Sequence, residues 1–282
     1  MTTAHTTLVI GATGTTGSRT AAQLADAGHR VKAASRRATP LPGAEPVAFD
    51  WHDPATHAAV LDGVDRVYLV PPVGDFDPAA VMLPFLRRAA TAGVHRAVLL
   101  SSSAVSAGGP AVGLVHQALP DLFAQWAVLR PSWFMQNFTG AHAHARSIRD
   151  EGAIWTATDS GRVGFVDAED IAAVAVRALT DEQAPNSDLV LTGPEALSHD
   201  DIAAIVTEVT GRPVAHRRLS YGQLRDRLAA QVPVEFAGML AGMDRAIAEG
   251  AEDRVTDTVQ RLTGRPPHTF RALLERETPP GS

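Results

Sequence analysis

Over the first two-thirds of the chain, short apolar runs alternate with stretches of helical periodicity. The apolar runs predict strands over Thr7–Ile10, Arg30–Ser35, Pro46–Asp50, Arg66–Val70, Arg96–Leu100 and Ala127–Leu129. Between them the spacing predicts helices over Ser18–Ala27, Pro54–Leu61 and Ala79–Ala92. Gly28 and Gly93 follow the first and last of these, where a left-handed residue closes a helix. Pro84 falls inside the third and predicts either a kink or a later start at the proline. Regular alternation of strand and helix is the pattern of an α/β doubly wound parallel sheet.

Beyond Asp167 the alternation loosens. Asp167–Leu179 reads as an amphipathic helix with carboxylates in its first turn, and a strand near Asp188–Thr192 follows. Ser198, with Asp201 three residues on, heads another helix in a near capping box. From Tyr221 to Thr269–Glu277 the pattern is helical throughout. Residues 1–132 thus form a first core, and 133–282 complete it while interleaving with a smaller C-terminal lobe. The Pro/Gly-rich stretch Ser106–Gly113 reads as the mobile loop.

The first strand runs directly into Gly11-Ala12-Thr13-Gly14-Thr15-Thr16-Gly17, and a helix starts at once. In that setting one glycine permits the tight turn, a second lets backbone approach a pyrophosphate, and a third lets helix pack on strand. The helix N-terminus supplies unpaired N–H groups and a positive dipole end. This is the fingerprint of a Rossmann-type dinucleotide site, with Thr13, Thr15 and Thr16 adding hydroxyls. The second strand selects the cofactor. It ends in Ser35-Arg36-Arg37, and no carboxylate occurs from Arg30 to Gly43. An acidic residue there would bind a ribose 2′-hydroxyl, whereas arginines suit a 2′-phosphate, so the expected cofactor is NADP(H).

Composition narrows the chemistry further. The chain has 282 residues, no cysteine and a net charge of −6. Disulfides, thiolate nucleophiles and thiolate-bound metals are therefore excluded, and nucleic acid bound by overall charge is not expected. Met1–Thr7 does not read as a leader, and no segment reaches the ~20 apolar residues of a membrane helix, which favours a cytoplasmic protein acting on a small molecule. His142 and His144, two apart on a helix, would not share a face, so no metal is expected. Asp167, Glu169 and Asp170 read as first-turn carboxylates that stabilise their helix.

A set of longer motifs carries a family resemblance: GATGTTG at Gly11–Gly17, ASRR at Ala34–Arg37, FDWHDP at Phe49–Pro54, VYLVPP at Val67–Pro72, LLSSSAV at Leu99–Val105, VLRPSWFMQNF at Val128–Phe138, FVDAEDIAAVA at Phe165–Ala175 and LTGPEALS at Leu191–Ser198. The chain resembles the NmrA-like atypical short-chain dehydrogenase/reductases, and within them the group related to ergot-alkaloid iminium reductases of the festuclavine and agroclavine type. The resemblance implies that Asp50 and Trp51 lie near the adenine. It also implies that Val70, Pro71, Pro72, Ser101 and Ser102 line the ribose and nicotinamide, and that Pro131, Ser132, Trp133 and Phe134 close over the nicotinamide. Some of these relatives carry Lys where this chain has Thr15.

Typical short-chain dehydrogenases protonate the nascent alkoxide with a Tyr-x-x-x-Lys pair. Here the only tyrosines are Tyr68 and Tyr221, neither with a lysine four residues on, and Lys32 is the only lysine. Loss of a general acid costs ~10²–10⁴-fold in rate, which handicaps ketone reduction. An iminium ion becomes a neutral amine on accepting hydride and needs no proton in that step; enones and quinones, whose charge is delocalised, come next. The catalytic candidates are Ser102, which like Ser103 could hydrogen-bond substrate, and His116, which could donate a proton or meet the cofactor; Tyr68 is expected to be buried, and Trp133, Phe134, Gln136 and Asn137 are expected to form the substrate pocket. Two alternatives stay open: a non-catalytic NADP(H)-sensing regulator with a protein partner, and a non-redox cyclase or isomerase.

Overall fold

A computed structural model describes residues 5–277 of the chain; Met1–Ala4, part of the stretch read above as lacking a leader, lie outside the described residues. In chain order the first elements are β1 (Thr6–Ile10), α1 (Thr15–Asp26), β2 (Arg30–Ser35), β3 (Glu45–Ala48), α2 (His57–Val60), β4 (Arg66–Leu69), α3 (Pro78–Thr91), β5 (Arg96–Leu100), α4 (Gly113–Leu122) and β6 (Gln125–Pro131). Then come α5 (Ala143–Glu151), β7 (Ala153–Thr156), β8 (Arg162–Val163), α6 (Ala168–Thr180), β9 (Ser187–Leu191), β10 (Leu197–Ser198), α7 (His199–Thr210) and β11 (Ala215–Arg218). Four helices follow: α8 (Tyr221–Ala229), α9 (Val234–Ala248), α10 (Thr258–Thr263) and α11 (Phe270–Glu277).

The principal sheet has seven parallel strands in the order β3-β2-β1-β4-β5-β6-β9. From β1 the chain winds outward to β2 and then turns back to β4, so the strand order reverses between β1 and β4. With right-handed crossovers this puts α1 and α3 on opposite faces. The strands are apolar on both sides, as a sheet covered by helices requires; Leu8, Val9, Val67, Leu69, Ala97 and Leu99 are all wholly buried. Chain segments divide into two units. One takes the residues up to Pro131 with Ala168–Leu191 and Arg261–Gly264; the other comprises Ser132–Asp167, Thr192–Gln260 and the residues from Arg265. α6 and β9 belong to the first unit.

Two buried arginines tie the first unit together. Arg66 at the start of β4 donates to the Leu179 carbonyl at 2.6 Å. Arg96 at the start of β5 donates to the carbonyls of Leu179 at 2.9 Å, Asp181 at 2.6 Å and Glu182 at 3.2 Å, and to the Gln125 side chain. The end of α6 has carbonyls with no partner in the helix and the negative end of its dipole, and the two guanidiniums satisfy both. Burial, with Arg66 nearby, lowers the Arg96 pKa to about 10, which leaves it charged at neutral pH.

Several elements differ from expectation. α3 runs unbroken through Pro84 from Pro78, because Pro84 and Ala80, whose carbonyl loses its amide partner, both face solvent. Pro54–Leu61 is a 3₁₀ turn followed by the single-turn α2. β3 is short, and β6 extends at both ends of its predicted core. Ser106–Gly113 is a loop closed by its own backbone bonds, Gly108 to Gly113 and Gly109 to Ser106. The stretch after Tyr221 is four separate helices, and the charged β11 pairs with β7. Ser198 and Asp201 do form a capping box. Among the described residues no helix is long and apolar enough to cross a membrane.

Candidate functional site

The glycine loop leaves β1 at the point where strand order reverses, where open α/β sheets bind ligands. Gly11 has φ +75°, and a Cβ there would lie 2.8 Å from the Val70 Cβ at the end of the neighbouring strand. Gly14 donates to the Gly11 carbonyl at 2.9 Å and is the N-cap of α1, with no side chain capping the helix. The first-turn amides are thus left to a ligand. A Cβ on Gly17 would lie 2.2 Å from the same Gly11 oxygen, so helix and strand meet there only through glycine. Thr13 and Thr15 are exposed on this loop, whereas Thr16 is buried beneath it. An ion pair of Arg19 with Glu169 at 2.9 Å and a bond from Gln23 to the same carboxylate fix α1 on α6.

The other first-unit residues gather at the carboxyl ends of their strands. Ser35 is buried and its hydroxyl accepts from the Thr39 amide at 3.0 Å, shaping a turn in which Ala38 takes φ +45°. Arg36 and Arg37 stand exposed on that turn, and neither has an ion-pair partner among the described residues. Trp51 is packed against Phe49 and Phe85 and donates its indole N–H to the Val70 carbonyl at 3.0 Å, so it braces the end of β4 from within the core. Asp50 folds its own turn, accepting from the His52 amide. Val70, Pro71 and Pro72 are half-buried; Ser101 and Ser102 follow β5. Arg130, ion-paired with Asp188, donates to the Ser102 and Ser103 carbonyls and holds that loop. A cradle that any Cβ would fill, uncapped amides and two unpaired guanidiniums fit a dinucleotide bearing an extra phosphate.

The candidate proton donors fare differently. Tyr68 is wholly buried on β4 beneath Thr16 and Thr20, and burial pushes its hydroxyl up to about 12. His116 sits buried on α4; burial chiefly, helped by Arg130 and opposed by Asp188, lowers its pKa and keeps it neutral at pH 7. Lys32 donates to the Asp62 carbonyl at 2.6 Å.

In the second unit, a cavity of about 340 Å³ lies under Trp133 and is bounded by His144, Trp155, Leu224, Leu228 and Asp244. Of the residues expected to line a pocket with Trp133, Phe134 instead pairs by backbone with Val166. Gln136 is buried and gives its amide to Asp167 at 2.7 Å, and Asn137 closes a 3₁₀ turn with Met135. Asp167 immediately precedes α6, is wholly buried, and also takes Arg276 at 2.8 Å and His268 at 3.1 Å. The two histidines expected to point apart do not. His142 is the N-cap of α5, outside the helix, and its ring lies 5.0 Å from that of His144. His144 continues into His199 and His216. Burial, then its histidine neighbours, lowers His144 to about 3.

Sequence reasoning missed Asp244. Its Oδ2 accepts from the Ala157 amide at 2.8 Å, and burial raises its pKa to about 6. A carboxylate inside the helical run Val234–Ala248 gives no local signal of this; only the fold brings it to Ala157.

Comparison with known proteins shows the family and the fold. A family profile described as NAD(P)H-binding matches residues 11–182, and one described as the NmrA-like family matches residues 119–265. The uncharacterised oxidoreductase YesF of Bacillus subtilis is 46% identical over 264 residues, covering 93% of this chain and 92% of that one. An agroclavine dehydrogenase of Claviceps fusiformis is 39% identical, covering 94% of both chains. Among solved structures, the NADPH-dependent quinone oxidoreductase of Escherichia coli complexed with NADPH is similar in fold, with a TM-score of 0.81 at 22% identity over 96% of this chain and 99% of that one.

Proposed function

The chain belongs to the NmrA-like family of NAD(P)H-binding oxidoreductases, and from that premise we propose that it is an NADPH-dependent reductase of a small imine or iminium, or of a conjugated acceptor such as an enone or quinone. When bound, NADPH supplies the hydride. Gly11, Thr13, Gly14, Thr15 and Gly17 hold the pyrophosphate against the uncapped turn of α1. Ser35, Arg36 and Arg37 take the 2′-phosphate, a reading supported by two exposed guanidiniums with no carboxylate paired to them. Asp50, Val70, Pro71, Pro72, Ser101 and Ser102 border the adenosine and nicotinamide. Trp51 acts through Val70, and Thr16 supports the loop from below. Pro131 ends β6, Ser132, Trp133 and Phe134 follow it, and the resemblance gives Pro131, Ser132 and Phe134 to the cofactor and Trp133 to the substrate.

The observation that carries the choice of acceptor is the state of the phenols and the lysine. Tyr68 is buried with its hydroxyl raised, Tyr221 lies on α8 with Arg245 against its ring, and Lys32 is bound to a backbone carbonyl. Neither tyrosine has a lysine four residues on, and the single lysine is engaged elsewhere, which speaks against a Tyr–Lys acid of the usual spacing. A substrate that leaves as a neutral amine makes no demand on one. The relative named agroclavine dehydrogenase supports the same substrate class.

The test is NADPH consumption against a cyclic iminium, a quinone, an enone and a simple ketone, with an acceptor-free blank. Turnover of the iminium, alone or with the quinone and enone, and none of the ketone, is expected. Tight NADPH binding without turnover of any acceptor would overturn the proposal and favour a cofactor-sensing regulator.

A further inference from the structure

We propose that Asp244 reads the charge of the ligand in the cavity under Trp133, receiving the cationic nitrogen of a small polycyclic or aromatic amine or iminium. The ligand class rests on the reductase reading above; the assignment of its charge to Asp244 does not follow from it. A volume of about 340 Å³ is at the small end of the ~300–1,000 Å³ usual for such sites.

The charges around the cavity single out this carboxylate. On α5, Glu151 is already engaged: it accepts the Trp155 indole N–H at 2.9 Å and pairs with Arg227 of α8 at 3.0 Å. That guanidinium also covers one face of Trp155, 4.7 Å from the ring. Arg146 and Asp150 are exposed on α5, four residues apart. His144 is kept neutral by burial, the His142 pKa is lowered by desolvation and then by Arg146, and Arg245, beside Asp244 on α9, is turned onto Tyr221. Asp244 has none of these as an ion-pair partner. Its one bond among the described residues is from the Ala157 amide, which takes Oδ2 and leaves Oδ1 open.

A half-buried carboxylate with a single neutral donor carries a desolvation cost that a cationic ligand would relieve. Trp133, the other large aromatic surface of the cavity, suits a cation for a separate reason, the negative face of its ring. Burial raises the Asp244 pKa to about 6, so the site becomes anionic, and selective for cations, only above that pH.

The test measures binding to the full-length protein of two probes, N-methylquinolinium, whose charge is permanent, and its neutral counterpart 1-methyl-2-quinolone. A permanent charge assigns any pH dependence to the protein. At about pH 8 the cation is expected to bind about tenfold more tightly than the quinolone, with the preference lost below the Asp244 pKa. Asp244→Asn keeps an oxygen for the Ala157 amide and is expected to remove the preference while leaving quinolone binding unchanged. Equal affinity of the wild type for both probes, no binding of either, or a preference that survives in the Asn variant would overturn the proposal. Should that variant fail to fold, the wild-type pH dependence decides alone: a preference unchanged across the titration of Asp244 contradicts it. Because no hydride moves in this experiment, a protein that selects the cation yet never oxidises NADPH contradicts only the reductase reading.

Discussion

A methyl group on Gly17 would stand 2.2 Å from the carbonyl oxygen of Gly11. That oxygen belongs to backbone that already accepts from the Gly14 amide, so neither partner can move without opening the loop. Gly17→Ala is therefore expected to lower NADPH affinity at least about tenfold and to cost roughly 1–3 kcal/mol of stability from overpacking. Gly222→Ala, on α8 where nothing lies within 4 Å of the added carbon, is the control and should leave NADPH binding unchanged. Fluorescence titration of NADPH into the two variants checks the pair.

Arg36→Glu separates the phosphate role from general loop stability. Replacing a free guanidinium by a carboxylate should weaken NADPH by about tenfold or more, since a charge-assisted bond is worth ~1.5–3 kcal/mol, and should barely change NADH. Equal losses for both dinucleotides would refute a contact with the 2′-phosphate.

Arg96→Met tests the buried brace at the end of α6. The variant keeps much of the side-chain volume but strands the carbonyls of Asp181 and Glu182, which Arg96 satisfies at 2.6 and 3.2 Å, while Leu179 keeps its bond from Arg66. Urea unfolding should show a loss of about 1–3 kcal/mol, the cost of unpairing part-buried acceptors and losing the guanidinium from the end of α6. A loss within the ±0.5 kcal/mol typical of surface changes would show the network to be dispensable.

The part of the site that was legible in the sequence is the part made by neighbours along the chain. GATGTTG follows a strand and opens a helix, and Ser35-Arg36-Arg37 ends the next strand, so spacing alone identified both. The fold class followed from the same alternation. What stayed hidden depends on residues far apart in the chain. Gln136 and Arg276 meet on Asp167, and Asp244 reaches Ala157, with no local pattern to announce either. His142 and His144 were misjudged for a geometric reason. Helical phase separates residues two apart, but His142 is the cap and lies outside the helix, which frees its ring to meet its neighbour. β7 and β11 escaped because four-residue strands, one of them Ala-His-Arg-Arg, carry no clear alternation.

Asp244 also predicts a pH-dependent trade between binding and stability. Its carboxyl pKa rises from 3.8 to about 6 on folding, so between those values the native chain holds more protons than the unfolded one, and stability falls as pH rises through the window. Asp244→Asn should therefore stabilise the protein above about pH 6, by on the order of 2 kcal/mol, with the gain gone near pH 4. Thermal unfolding of both proteins across that range checks the sign; a variant less stable at neutral pH would show that the carboxylate is not strained.

Hydride is expected to pass directly from NADPH to an electrophilic carbon of the substrate. The most direct measurement is a reaction of the purified protein with NADPH deuterated at C4, each face in turn, and a cyclic iminium, with mass spectrometry of the amine product. One deuterium on the former iminium carbon, from one face only, is the predicted result. Product lacking deuterium from either cofactor, or no product from a protein that binds NADPH, would contradict the account.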